Sequence, residues 1–203
     1  MVVYIYLFFL IRLVSHGSRN STFLKLNSGV VENNSGILRS NSGFRIVQLR
    51  SEALQLVRRN LIGITSEQVA RLLLYREGMS IGKSAYVALK GRVSNEETFW
   101  ATLDAYAQRR GWGYVLSHEN NGSDFSYNIH IGNSALADGS IRGHPPVCDI
   151  LRGILGGWLS AFHKRSISSV AEEQCVSLGS SFCAFQVHLA PDVAAVFASA
   201  FQS

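Results

Sequence analysis

The chain has 203 residues, 47% hydrophobic, 16% charged and 10% aromatic, with three prolines, a composition that excludes wholesale disorder and collagen-like or mucin-like architectures. That length suits one domain of ordinary size, or a smaller domain with an arm, and is too short for a multi-domain machine. The net charge of +5 is unevenly held, residues 1–92 carrying 13 Lys+Arg against 4 acids and residues 93–203 carrying 6 against 10; the basic residues are spread thinly, as on a solvated helix face and not as in a nucleic-acid groove.

Val2 to Val14 is apolar, but it is shorter than the ~20 residues a membrane-spanning helix needs, and Arg12 interrupts it. It has no basic stretch ahead of it and no small-residue cleavage pattern behind it, so an upstream extension is expected there and no transmembrane segment. From Ser15 to Gly43 the chain is rich in Ser, Asn and Gly, with Asn-Ser-Gly recurring at residues 27, 34 and 41. These are turn formers; short apolar pieces between them permit a β-meander, and a flexible arm is the expectation. Phe44 to Leu49 predicts a strand leading into a helix from Ser51, with Leu54, Val57 and Leu61 on its stripe. Thr65 with Gln68 has the form of a capping box opening a second helix that ends near Gly78. Ser84 to Lys90 predicts a further helix, and Ser94 with Glu97 a third capped helix that runs to Gly111.

The period then changes. Tyr114–Leu116 and Phe125–Ile131 read as strands, the second alternating Phe125, Tyr127, Ile129 and Ile131 with polar residues. Pro145 and Pro146 open a helix through Trp158 and Phe162, in which Gly153, Gly156 and Gly157 leave room for close backbone packing. Two strands follow, about Ile167–Cys175 and Phe182–Leu189, joined at Leu178-Gly179-Ser180, and Pro191-Asp192 starts a terminal helix. Helices followed by an antiparallel sheet with an inserted helix make an α+β arrangement.

Several chemistries fail on spacing. Gly78 to Ser84 has three residues between its glycines where a phosphate loop needs four, and no strand runs into it. Ala70 lies too far from Gly78 for a helix-turn-helix. The six histidines include no H-x-x-x-H, and no G-x-S-x-G elbow supports a serine triad.

Three cysteines remain, all in the last third. An odd number this small argues against a disulfide-stapled secreted scaffold and for a reducing cytoplasm. A hairpin folded about Gly179 sets Cys175 across from Cys183, and Cys148 stands at a helix N-terminus whose dipole favours a thiolate. Glu172 precedes Cys175 by three residues, so in a regular strand it faces away and joins only if a bulge turns it. Three thiolates and a carboxylate suit zinc in a closed structural site; the bland alternative is three reduced cysteines buried as small hydrophobes.

The run Pro146-Val147-Cys148, Gly153, Gly156-Gly157-Trp158, Glu172-x-x-Cys175, Gly179 and Phe182-Cys183-Ala184-Phe185 resembles the 4-vinyl-reductase (4VR) domain over about residues 112–190. Gly43 to Leu89 is similar to the N-terminal part of the sensory modules of phenol- and xylene-responsive transcription activators. The resemblance implies a nitric-oxide-signalling/Golgi-transport-complex-like fold, often homodimeric, around a hydrophobic pocket for a small aromatic or hydrocarbon ligand. It also implies a structural zinc ion on Cys148, Glu172, Cys175 and Cys183. Where the regulators place a hydrogen-bonding tryptophan, this chain has Ile131.

The expected plan is an arm at residues 1–42, the helical part of a sensory module at 43–111 and a 4VR domain at 112–203. By strand and helix phase, Trp112, Tyr114, Phe125, Tyr127, Ile129 and Trp158 are the candidate ligand wall. The leading expectation is a cytoplasmic sensory or regulatory domain with no catalytic residues and no direct nucleic-acid contact, acting through its dimer or a separate effector chain. The alternatives are an accessory role in (bacterio)chlorophyll or other tetrapyrrole 4-vinyl reduction, for which the chain has no G-x-G-x-x-G hydride-donor site, and a transport-complex-like adaptor.

Overall fold

A computed structural model describes residues 51–121, 125–137 and 147–191, together with the backbone of three short strands that precede them. The chain divides into two units, Met1–Val47 and Gln48–Ser203. In the first, strands β1 (Val30–Glu32), β2 (Leu38–Ser40) and β3 (Arg45–Ile46) form an antiparallel meander in which Val31 pairs with Arg39 and Leu38 with Ile46. Two of these strands fall inside the segment expected as an arm; residues 1–29 lie outside the described residues.

The second unit begins with α1 (Ser51–Ile64), α2 (Glu67–Leu89), a short 3-10 turn at Lys90–Arg92 and α3 (Glu96–Arg110). Strands β4 (Tyr114–Asn120) and β5 (Ser126–Gly132), helix α4 (Asp149–His163), strand β6 (Ile167–Gln174), a 3-10 turn at Val176–Leu178 and strand β7 (Cys183–Leu189) complete it. The sheet is antiparallel in the order β4-β5-β7-β6. Four helices and one four-stranded sheet among the described residues make the fold α+β, with α4 inserted between the two hairpins. The terminal helix expected after Pro191 and the opening at Pro145-Pro146 lie outside the described residues.

Helix α1 starts at Ser51 as expected, and the caps of α2 and α3 each lie one residue beyond the expected one, for a local reason. Thr65 Oγ1 donates to the Leu61 carbonyl at 2.6 Å, which commits it to the last turn of α1. Ser66 therefore caps α2, accepting from the Val69 amide at 3.3 Å. At α3 the capping box is Asn95 with Thr98: Asn95 Oδ1 accepts from the Thr98 amide at 2.9 Å, and Thr98 Oγ1 accepts from the Asn95 amide at 3.0 Å. Gly111, at φ 73°, ends α3 in the left-handed conformation that glycine adopts without strain.

Helix α2 is the larger correction. It does not stop at Gly78 but runs to Leu89, absorbing the segment expected as a separate helix. Gly78 and Gly82 lie against Gly153 and Gly157 of α4, and a methyl at any of the four would collide with a backbone carbonyl across the crossing: those of Ile150, Ile154, Tyr75 and Met79 respectively. The pattern that looked like a defective phosphate loop is thus a close helix crossing. Each mid-helix glycine costs about 1 kcal/mol in propensity, and the backbone-to-backbone approach offsets that cost with dense van der Waals contact.

Helix α4 is buried over nearly its whole length, from Asp149 through Ser160 with Arg152 half-buried, as expected for a helix apolar on all sides. Beneath it Tyr127, Ile129 and Ile131 of β5 and Phe185, Val187 and Leu189 of β7 form the inner face of the sheet, while Asn128, His130, Gln186 and His188 take the other phase. Among the described residues no helix is long and apolar enough to cross a membrane.

Candidate metal centre and neighbouring cavity

The β6–β7 hairpin brings two cysteines together. Gln174 pairs with Ala184, so Cys175 and Cys183 follow as the next opposed positions, and Gly179, at φ 98°, turns the chain between them. Glu172 reaches the same face because the register shifts: Glu172 pairs with Phe185 but Gln174 with Ala184, which leaves residue 173 as the extra residue of a bulge. Phe185 is an inner-face residue, so its partner Glu172 is turned inward too. The third cysteine, Cys148, is the residue before α4, and its side chain makes no capping bond to that helix.

The four ligand-bearing atoms lie within 4.8 Å of one another. Cys148 Sγ is 3.7 Å from Cys183 Sγ and 4.0 Å from Cys175 Sγ, and the latter two are 4.0 Å apart. Thiolates on a tetrahedral zinc at about 2.3 Å stand about 3.8 Å from each other, so the sulfurs already have the spacing of a metal triangle. The carboxylate fits as well: Glu172 Oε2 accepts from the Cys148 amide at 3.1 Å, while Oε1 is buried with no hydrogen-bond partner. Outer contacts hold the sulfurs. Ser177 Oγ lies 3.0 Å from Cys175 Sγ, the Val176 amide donates to Cys183 Sγ at 3.5 Å, and Ser134 Oγ lies 3.4 Å from Cys148 Sγ.

Hydrogen bonds from Cys148 and Cys183 pull the Cys175 thiol far below the ordinary range. Hydrogen bonding to Cys175 and Cys183, and then burial, push Cys148 well above it. The Cys148 contact pulls Cys183 down, but its bond to Cys175 and burial outweigh this and raise it to about 12. Burial, and then the Cys175 sulfur close by, lifts Glu172 to about 8. A divalent cation would reverse this pattern, because it favours the deprotonated form of all four groups.

A small apolar cavity of about 10 Å³ is walled by Leu103 and Tyr106 of α3, Trp112, Ile131 of β5, and Leu151 and Ile154 of α4, enough for about one water-sized molecule. Of the six residues expected to form a ligand wall, Trp112 stands on it. Tyr114 and Phe125 are exposed, with the Arg165 guanidinium 3.8 Å over the Phe125 ring. Tyr127 and Ile129 are buried in β5, and the Tyr127 hydroxyl is 2.7 Å from His163 Nε2. Trp158 is buried edge-on to Tyr86 at 5.7 Å. Leu103, Tyr106, Leu151 and Ile154 were not among those six: they come from two helices, and sequence does not say which helix faces meet.

No family model and no curated protein matches the chain. Solved structures do. The phenol-responsive sensory domain of the transcription activator PoxR, with phenol, aligns at a TM-score of 0.66 and 19% identity over 79% of this chain and 85% of that one. A vinyl-4-reductase family protein from Methanocaldococcus jannaschii aligns at 0.50 and 21% over 71% and 84%. A trafficking protein particle complex subunit 3 from Naegleria fowleri, covalently bound to palmitic acid, aligns at 0.49 and 14% over 69% and 95%. The first two, each below 25% identical, establish that this chain shares their fold.

Proposed function

We propose that this chain is a small-molecule-binding sensory or regulatory domain of the 4VR type, stabilised by a structural zinc ion. Cys148, Glu172, Cys175 and Cys183 hold the zinc, which clamps the start of α4 to the β6–β7 hairpin. Four protein ligands leave no open position, so the ion stabilises the fold and does not activate water. The ligand is a small hydrophobic or aromatic molecule, received between α3, β5 and α4 with Trp112 on its wall. The observation that carries this reading is the apolar cavity at the junction of α3, sheet and α4, inside a fold shared with a phenol-responsive sensory domain.

The cavity has room for about one water-sized molecule, so a ligand of even benzene size must widen it. A ligand that binds the widened state better than the narrow one shifts the population between them. The output passes through a second copy of the chain or a separate effector protein. Two measurements test this. Metal analysis of protein purified without chelator should find one zinc per chain, lost in Cys175→Ser; a zinc-free wild type sinks the metal assignment. Native mass spectrometry should find a co-purified apolar molecule and a dimer; a ligand-free monomer that gains no thermal stability with benzene or toluene sinks the sensory one.

A further inference from the structure

Asp149 follows Cys148 in sequence and belongs to neither the thiol cluster nor the cavity. Its carboxylate is 1% exposed. Oδ1 accepts from Arg71 Nε of α2 at 3.1 Å and lies 3.3 Å from Arg152 Nη2 of α4. Oδ2 accepts no hydrogen bond; Arg58 Nε of α1 stands 3.9 Å away and is itself buried without a hydrogen-bond partner. The same guanidinium turns Nη2 outward to Glu67 Oε1 at 3.3 Å. Arg58 is therefore shared between an exposed carboxylate it reaches well and a buried one it does not quite reach.

A second polar tether ends in the same place. Gln55, the buried side chain of α1, donates from Nε2 to the Leu136 carbonyl. Two residues before Leu136, Ser134 Oγ touches Cys148 Sγ at 3.4 Å. Leu54 and Leu61 of α1 pack on the core, but Leu56, Val57 and Ile64 are exposed. Much of what docks α1 is thus polar, and both tethers run to segments that position Cys148.

We propose that Asp149 is a positioning residue for the metal ligand Cys148, and that Arg58 couples metal occupancy to the docking of α1. The proposal rests on the zinc reading above. A metal bond to Cys148 fixes the first turn of α4 and with it the direction of the Asp149 carboxylate. A buried charge lacking a hydrogen bond is costly, so a fixed Asp149 draws Arg58 inward and seats α1; a mobile one leaves Arg58 to Glu67. Coupling between two sites is reciprocal, so loosening α1 weakens metal binding in turn.

The test uses the full chain. Arg58→Met should weaken zinc binding about tenfold in competition with a chelator, as outer partners of metal ligands do, while the cobalt-thiolate absorption keeps its wild-type shape because the ligands are unchanged. Arg59→Met, at an exposed neighbour, should bind zinc as wild type does. In hydrogen exchange, zinc should slow the amides of residues 51–64 in wild type; Arg58→Met should lose that increment and keep the one in the β6–β7 hairpin. Asp149→Asn should act like Arg58→Met, which carries the test if Asp149→Asn does not fold. Wild-type zinc affinity and an unchanged α1 response in Arg58→Met overturn the proposal alone. A wild type that takes up neither zinc nor cobalt overturns the zinc reading beneath it.

Discussion

Glu172 stands among the cysteines because strand β6 carries one residue more than β7 at that point. Folding in the absence of metal lowers the Cys175 thiol and raises the Glu172 carboxyl to about 8. The sign follows for each. A raised carboxyl removes stability as pH climbs from its unfolded value of 4.5 toward 8, and a depressed thiol adds stability over the same window. The two oppose each other, so the cluster makes little contribution to the pH dependence of metal-free stability between pH 5 and 8.

Metal binding does not share that cancellation. Glu172, Cys148 and Cys183 are all raised, so a cation bound there would have to displace their protons. The logarithm of the zinc affinity should rise between pH 6 and 7.5 with a slope approaching about three, measured by chelator competition across pH. Glu172→Gln should weaken binding and lower that slope by about one. An affinity independent of pH would mean that the cluster is already ionised.

At the scale of elements the decisive contact is the crossing of α2 and α4 through four glycines. Gly82→Ala and Gly153→Ala each place a methyl against a carbonyl that belongs to a helix and has no room to retreat. Each should cost about 3 kcal/mol or more in urea denaturation, at the upper end of overpacking penalties. Gly63→Ala is the counter-test. Nothing lies within 4 Å of a methyl there, and Gly63 lies within α1, so the substitution should stabilise by about 0.5 kcal/mol. The same crossing explains why the end of α2 was misread: glycine disfavours helix in isolation, and only a partner helix at close range reverses that preference. The caps were displaced by one residue because two adjacent polar residues competed for one role, and Thr65 was taken by the carbonyl of Leu61.

For the whole molecule, the sensory reading requires that the small cavity can be widened and filled. Leu103→Ala removes part of its wall and should destabilise the protein by about 3 kcal/mol. Benzene in excess should restore part of the lost melting temperature, because a ligand that binds the folded state alone stabilises it by mass action. Absence of a benzene-dependent shift in both this variant and wild type would remove the cavity as a ligand site.

Alternation along β5 and β7, the apolar length of α4 and the hairpin about Gly179 determined the α+β class and the opposition of Cys175 to Cys183, since period and turn chemistry act over a few residues. That same local information left Glu172 undecided, because a three-residue spacing is inward or outward according to a bulge set by pairing with β7. It named six aromatic or aliphatic candidates for the ligand wall, of which Trp112 meets the cavity, because phase says which residues face inward and not which inward faces enclose a gap. The Arg58, Arg71 and Arg152 cluster on Asp149 gave no sequence signal: its members come from three helices, and only their packing brings those charges to one buried carboxylate.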